Sequence, residues 1–219
     1  MSAPRPIFLG GAFLGRAPWR EQAARFEGCV VLELADAPRD DASRTAWLLA
    51  RLGEVRPPRA LIAHGLGAAA ALALVAAHPD AIDGLVILGL GAHGSLPPGT
   101  TTADISGLAF VEPGSEVATR AHEEVLARPE PLMAEDLAAW SAFESAGRLA
   151  HAPGATLIIA AGRDPLVPVA EAEELAAELP ASGLAVLPNA GHAAPLEAAG
   201  AVDLLVAAFL ARLELVLGP

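Results

Sequence analysis

The stretch from Arg59 to Pro79, RALIAHGLGAAAALALVAAHP, constrains this chain more than any other. Leu61 and Ile62 close an apolar run, and Ala63-His64-Gly65-Leu66-Gly67 follows. An Ala/Leu segment with His78 at its end completes it. This order of apolar run, glycine-broken turn and long apolar segment predicts a buried strand, a very tight turn and a buried helix. The turn has the small-x-nucleophile-x-small outline of an elbow that raises one exposed side chain above an α/β sheet. The nucleophile position is Gly65, so the attacking atom such a turn carries is missing.

The flanking sequence repeats the alternation. Strands are expected at Arg5–Leu9, Cys29–Leu34, Ala60–Ala63, Ile82–Leu88, Thr156–Ala161 and Leu184–Leu187. Helices are expected at Ala17–Phe26, Asp41–Val55, Leu66–Ala77, Pro168–Leu179 and Leu196–Leu215. In the last helix Ala201, Leu204, Leu205, Ala208, Ala211 and Leu215 fall on one face, read here as the buried one. Between Gly89 and Pro113 the chain is rich in Gly, Pro and Thr, with no clear period. Two helices, about Glu116–Ala127 and Met133–Ala146, follow it. Alternating strands and helices imply a mostly parallel six-stranded sheet with helices on both faces. The whole chain, 1–219, reads as one domain with a short helical cap inserted at about 95–150.

Composition narrows the chemistry. With 219 residues, 53% of them hydrophobic, the chain can bury a large aliphatic core. Its formal charge of −12 argues against nucleic acid and anionic membranes as partners. The sequence has no lysine among its 14 basic residues and no tyrosine. Schiff-base chemistry, a Walker lysine and tyrosine acid–base catalysis are therefore excluded. Cys29 is the only cysteine. It is expected inside a strand as a small core residue, and its solitude suits a reducing cytoplasm. Residues 60–77 are apolar enough to mimic a membrane span, but the Gly-x-Gly and the surrounding alternation favour a core element.

Four loops at carboxyl ends of strands carry the chemical groups, where ligands of such sheets bind. They are Gly10-Gly11-Ala12, the turn at Gly65, Gly162-Arg163-Asp164 and Gly191-His192. The chain order turn, Asp, His is that of α/β-hydrolase triads. PIFLGGAFLGRAPWREQAARF, LIAHGLGAAAALALVAAHPDAIDGLVILG, AAGRDPLVP and LPNAGHAAPLEAA together resemble the α/β-hydrolase fold family, in its ester-hydrolase and lipase-like group. The resemblance covers most of the chain except about 95–130. The family usually has two further N-terminal strands, absent from the sheet expected here. The family pattern then implies the order 4-3-5-6-7-8 in its own strand numbering, with the second strand of this chain outside the first.

Carried over by position, the resemblance implies that Asp164 is the triad acid and His192 the general base. The backbone N–H groups of Ala12 and Leu66 would form the oxyanion hole. Gly10 stands where the family usually has His, and Gly65 where it has Ser, Cys or Asp. Glycine suits the strained elbow backbone but deletes the attacking oxygen. Intact Asp164, His192 and Gly67 around it fit either natural divergence or deliberate inactivation. His64 is expected to be a packed residue, since neighbours at a sharp turn point different ways. His93, Trp140 and Phe143 are candidate pocket residues, and Ser95 is a candidate relocated nucleophile. No zinc-type spacing is present, and no metal or cofactor is implied. Gly65-x-Gly67-x-x-Ala70 fits a dinucleotide fingerprint, but the acidic residue about twenty positions on is missing.

These readings leave three functions for a small-molecule site. One is a hydrolase of carboxylic esters, thioesters or lactones impaired at Gly65. Another is a cofactor-free lyase, isomerase or cyclase using His192 and Asp164. The third is a binding protein that kept the pocket.

Overall fold

The computed structural model describes every residue except 1, 2, 12, 13, 95, 97–99, 128, 146–148, 150, 151, 180 and 219. Strands β1 (Arg5–Gly10), β2 (Val30–Glu33), β3 (Arg59–His64), β4 (Gly84–Leu88), β5 (Thr156–Ala161) and β6 (Ser182–Leu187) form one sheet. Its order is β2-β1-β3-β4-β5-β6, with every neighbouring pair parallel. This is the order the family resemblance implies, with the second strand at the edge beside the first.

Alternation along the strands divides the interior into two layers, because successive side chains of a strand point to opposite faces. Ile7, Leu9, Leu61, Ala63, Leu85, Ile87, Ile158 and Ala160 enter one core. Phe8, Ala60, Ile62, Val86, Leu88, Ile159 and Ala161 enter the other. Covered on both faces, the central strands read as unbroken apolar runs.

Helices α1 (Arg20–Arg25), α2 (Asp41–Gly53) and α3 (Leu66–Ala77) follow the first three strands. A one-turn 3-10 helix, Ala17–Trp19, takes the first three residues of the helix expected at Ala17–Phe26. Its Pro18 suits a first turn, where no backbone N–H is needed. Asp40 caps α2 by accepting from the Ser43 N–H at 2.8 Å. Leu48 and Leu52 of α2 and most of α3 lie in the first core. The insertion between β4 and β5 contains α4 (Thr102–Leu108), α5 (Glu116–Leu126) and α6 (Glu130–Ser141). After β5 come α7 (Val169–Glu178), α8 (Ala194–Glu197) and α9 (Ala199–Leu217).

Several expectations need correction. Helix α4 occupies a segment expected to be irregular, and its signal was present in Thr101-Thr102-Ala103-Asp104. Thr101 and Asp104 form a capping box there. Helix α6 ends at Ser141 rather than Ala146, because 143–145 pair with the segment after β4. Gly94 N–H donates to Phe143 O and Ser145 N–H to Ala92 O, both at 2.9 Å, around an antiparallel bridge of His93 with Glu144. Cys29 precedes β2 instead of lying within it, and is half-buried beside the second core.

The buried face of α9 is also not the expected one. Val202, Val206, Phe209 and Leu213 enter the second core, whereas Leu204 and Leu215 are 74% and 83% exposed. Apolar residues surround this helix, so periodicity does not distinguish one stripe from the other. Among the described residues no helix is long and apolar enough to cross a membrane. The apolar run 60–77 is divided between β3 and α3.

Candidate active site

Gly65 joins β3 to α3 with φ 56° and ψ −128°, a conformation that costs any residue with a Cβ. The turn is held at both ends. Gly65 N–H donates to Leu88 O at 2.9 Å, and Gly65 O accepts from Ala68 and Ala69 N–H. Gly67 is required by crowding, since a Cβ there would lie 2.9 Å from Leu9 O and 3.2 Å from Gly10 O. Without it α3 could not start against β1. The loop after β1 also comes close, because a Cβ on Gly11 would stand 2.7 Å from His64 O and 3.6 Å from Leu66 N. Leu66 is the first residue of α3, so its N–H has no acceptor within the helix. Ala12, the other expected backbone donor, lies outside the described residues, as does Ser95.

The loops after β5 and β6 bring the two side-chain candidates together. His192 Nδ1 lies 2.9 Å from Asp164 Oδ2. The second carboxylate oxygen, Oδ1, accepts from Leu166 N–H at 2.8 Å and Val167 N–H at 3.0 Å. Both side chains are buried. Burial alone would raise the Asp164 carboxyl, but the charge and hydrogen bond of His192 and the two backbone donors hold it below the ordinary carboxylate range. An ionised Asp164 accepts the Nδ1 proton, which leaves Nε2 as the basic nitrogen.

That nitrogen faces the elbow. A Cβ built on Gly65 lies 3.8 Å from His192 Nε2 and 3.4 Å from Trp140 Cζ3, and among the described residues nothing outside the turn itself is nearer. The arrangement is an imidazole, the carboxylate that holds it and a turn that faces the imidazole with no side chain of its own.

Trp140, expected as core or pocket, is a core residue placed beside the elbow. It is buried in the first core, contacts the Gly65 position and meets the His192 ring edge-on at 5.6 Å. Phe143 lies beyond α6 and is buried in the same core. His93 is placed among carboxylates. Its Nδ1 is 3.2 Å from Glu171 and its Nε2 3.4 Å from Glu144. The hydrogen bond to Glu171 raises its pKa, with Glu144 and Glu174 adding to the effect. Ligand atoms of His93, Glu171 and Glu174 lie within 4.8 Å of one another, a spacing that could bracket a cation.

Three supports were not foreseen. His64, correctly expected to be packed, uses Nε2–H to donate to the backbone carbonyl of His192 at 2.8 Å. Burial, then the neighbouring His192, pushes its pKa down to about 3, so it is neutral. Gly89 has φ 58°, and a Cβ there would lie 2.9 Å from His64 Nε2 and 3.0 Å from His192 Cε1. Glu197 accepts from Gly191 N–H at 2.7 Å and from Val111 N–H at 2.6 Å, tying the histidine loop to the insertion. Glycine directly after a strand was a usable signal for Gly89. His64 and Glu197 carried none, because their partners are far away in sequence.

The comparisons with known proteins agree with this fold. A family model described as "Alpha/beta hydrolase family" matches residues 7–203. A thermophilic esterase structure superposes with TM-score 0.80 at 20% identity, covering 95% of this chain and 90% of that one. The enol-lactonase from Burkholderia xenovorans LB400 gives TM-score 0.80 at 18% identity, over 96% and 92%. A hydrolase from Pseudomonas aeruginosa PA01 gives 0.78 at 22%, over 94% and 90%. At these identities the structural likeness establishes the fold.

Proposed function

This chain belongs to the α/β hydrolase family, and from that premise we propose that it receives a small carboxylic ester, thioester or lactone above Gly65 without forming an acyl-enzyme. His192 is the base in this reading, and Asp164 fixes its tautomer and stabilises the imidazolium. Leu66 N–H, with Ala12 N–H, takes the developing negative charge of the carbonyl oxygen.

One observation carries the proposal. The side-chain direction at Gly65 points toward His192 Nε2 at 3.8 Å, while His192 Nδ1 is held by Asp164. A serine oxygen added there would reach toward hydrogen-bond distance of the base. The esterase and enol-lactonase among the similar folds support the ester class. The test is Gly65→Ser, assayed on short-chain p-nitrophenyl esters. Hydrolysis with a burst of p-nitrophenolate is expected, and a folded but silent variant would remove the ester reading.

The same absence of a side chain favours a second reading. Facing the ligand directly, His192 could abstract a proton from carbon in cofactor-free lyase, isomerase or cyclase chemistry. That activity would require His192, proceed with Gly65 in place and yield a product with no water added. A ligand that binds and is recovered unchanged would instead mark a binding protein.

A further inference from the structure

We propose that the chain with Gly65 hydrolyses activated esters and aryl or enol lactones in one displacement, with water in place of the serine oxygen. This inference rests on the ester reading above and adds a route and a narrower substrate class.

The local geometry has the necessary parts. The position of a Gly65 side chain is bounded by Trp140 Cζ3 at 3.4 Å and His192 Nε2 at 3.8 Å. Among the described residues a Cβ there makes only ordinary van der Waals contacts, and water would take the place of the oxygen a serine carries beyond it. Its partners are His192 Nε2, an acceptor because Nδ1 donates to Asp164, and the substrate itself. The indole ring beside it offers no competing nucleophile. Leu66 N–H, at the start of α3, is free of any helical acceptor and can receive the carbonyl oxygen.

The step balances without another reactant. Water oxygen bonds to the acyl carbon as its proton passes to His192 Nε2, and the carbonyl π electrons move to oxygen. The alkoxide then re-forms the carbonyl and breaks the bond to the leaving oxygen, which takes the proton from the imidazolium. An ester gives acid and alcohol; a lactone gives a hydroxy acid. The imidazole returns neutral.

The mechanism selects its substrates. Water has no tethered position, so the proximity advantage of a covalent nucleophile is absent. A reactive carbonyl and a phenolate or enolate leaving group compensate, whereas simple alkyl esters do not.

The test compares the unaltered chain with His192→Ala, His192→Asn and Gly65→Ser on p-nitrophenyl acetate and dihydrocoumarin. Ethyl butyrate is the unactivated control, and intact-mass spectrometry is run during turnover. The expected result is release of p-nitrophenolate that is linear from the first turnover, with no acyl adduct. It should fall about 10²-fold or more in both His192 variants, while Gly65→Ser gives a burst and an adduct.

An unaltered chain no faster than His192→Asn, beside an active Gly65→Ser, overturns the water route and leaves the ester reading standing. Silence of both the unaltered chain and a folded Gly65→Ser overturns the ester reading and the water route together. An acyl adduct on the unaltered chain overturns the route by revealing another nucleophile. If Gly65→Ser does not fold, the His192 comparison and the adduct mass decide alone.

Discussion

His64 donates from Nε2 to the backbone carbonyl of His192 at 2.8 Å, joining residues 128 positions apart. The ring next to the elbow therefore holds the strand-end loop that carries His192. Its own role is fixed by burial, which keeps it neutral with a pKa of about 3.

Acid should weaken the fold through this residue. From 6.5 down to about 3, the unfolded chain binds a proton at His64 that the folded chain refuses. Stability contributed by the neutral ring is thus complete above pH 6.5. It is lost as pH falls, by up to about 1.4 kcal/mol per pH unit. The lowered pKa of Asp164 adds a loss of the same sign below its ordinary 3.8. Urea midpoints at pH 7 and pH 4.5 should differ more for the unaltered chain than for His64→Gln, and equal differences would refute this account.

The two positive-φ glycines of the site should respond differently to alanine. At Gly65 a Cβ meets nothing closer than 3.4 Å among the described residues, so Gly65→Ala should lose only backbone strain, about 1–3 kcal/mol. At Gly89 the added carbon also collides with His64 and His192. Overpacking adds about 1–3 kcal/mol to the strain there, and His192 must shift. Equilibrium unfolding at pH 7 should rank Gly89→Ala as clearly the worse, and Gly89→Ala should also weaken any activity of Gly65→Ser.

Trp140 connects the insertion to His192. Truncation to alanine should cost about 3–5 kcal/mol, as for other buried large aromatics. Its indole Nε1 has no hydrogen-bond partner among the described residues, so Trp140→Phe loses packing volume but no hydrogen bond. That variant should cost much less, and thermal unfolding of both measures the contrast. Near-equal losses would place an unseen polar partner on the indole.

Helix α9 offers a direct check of orientation. Val206 is fully buried and Leu204 is 74% exposed. Val206→Ala should destabilise by about 1–3 kcal/mol, whereas Leu204→Ala should stay within about 0.5 kcal/mol. Reversed values in chemical denaturation would restore the face expected from the apolar pattern.

Apart from α4, the main elements were legible in the sequence, along with the loops bearing Gly65, Asp164 and His192. Strand–turn–helix signals are local: apolar runs set the strands, and the glycine-broken turn at 63–67 marks the elbow. The alternation implied a parallel sheet, and the order of its strands came from the family resemblance, which the observed sheet matches. The 2.9 Å contact of His192 with Asp164, the seat of Trp140 over Gly65 and the grip of His64 on His192 were decided only by the tertiary structure. Each depends on how distant loops converge, which no local period encodes. The same limit explains α9: where apolar residues surround a helix, the choice of buried stripe belongs to the sheet it packs against.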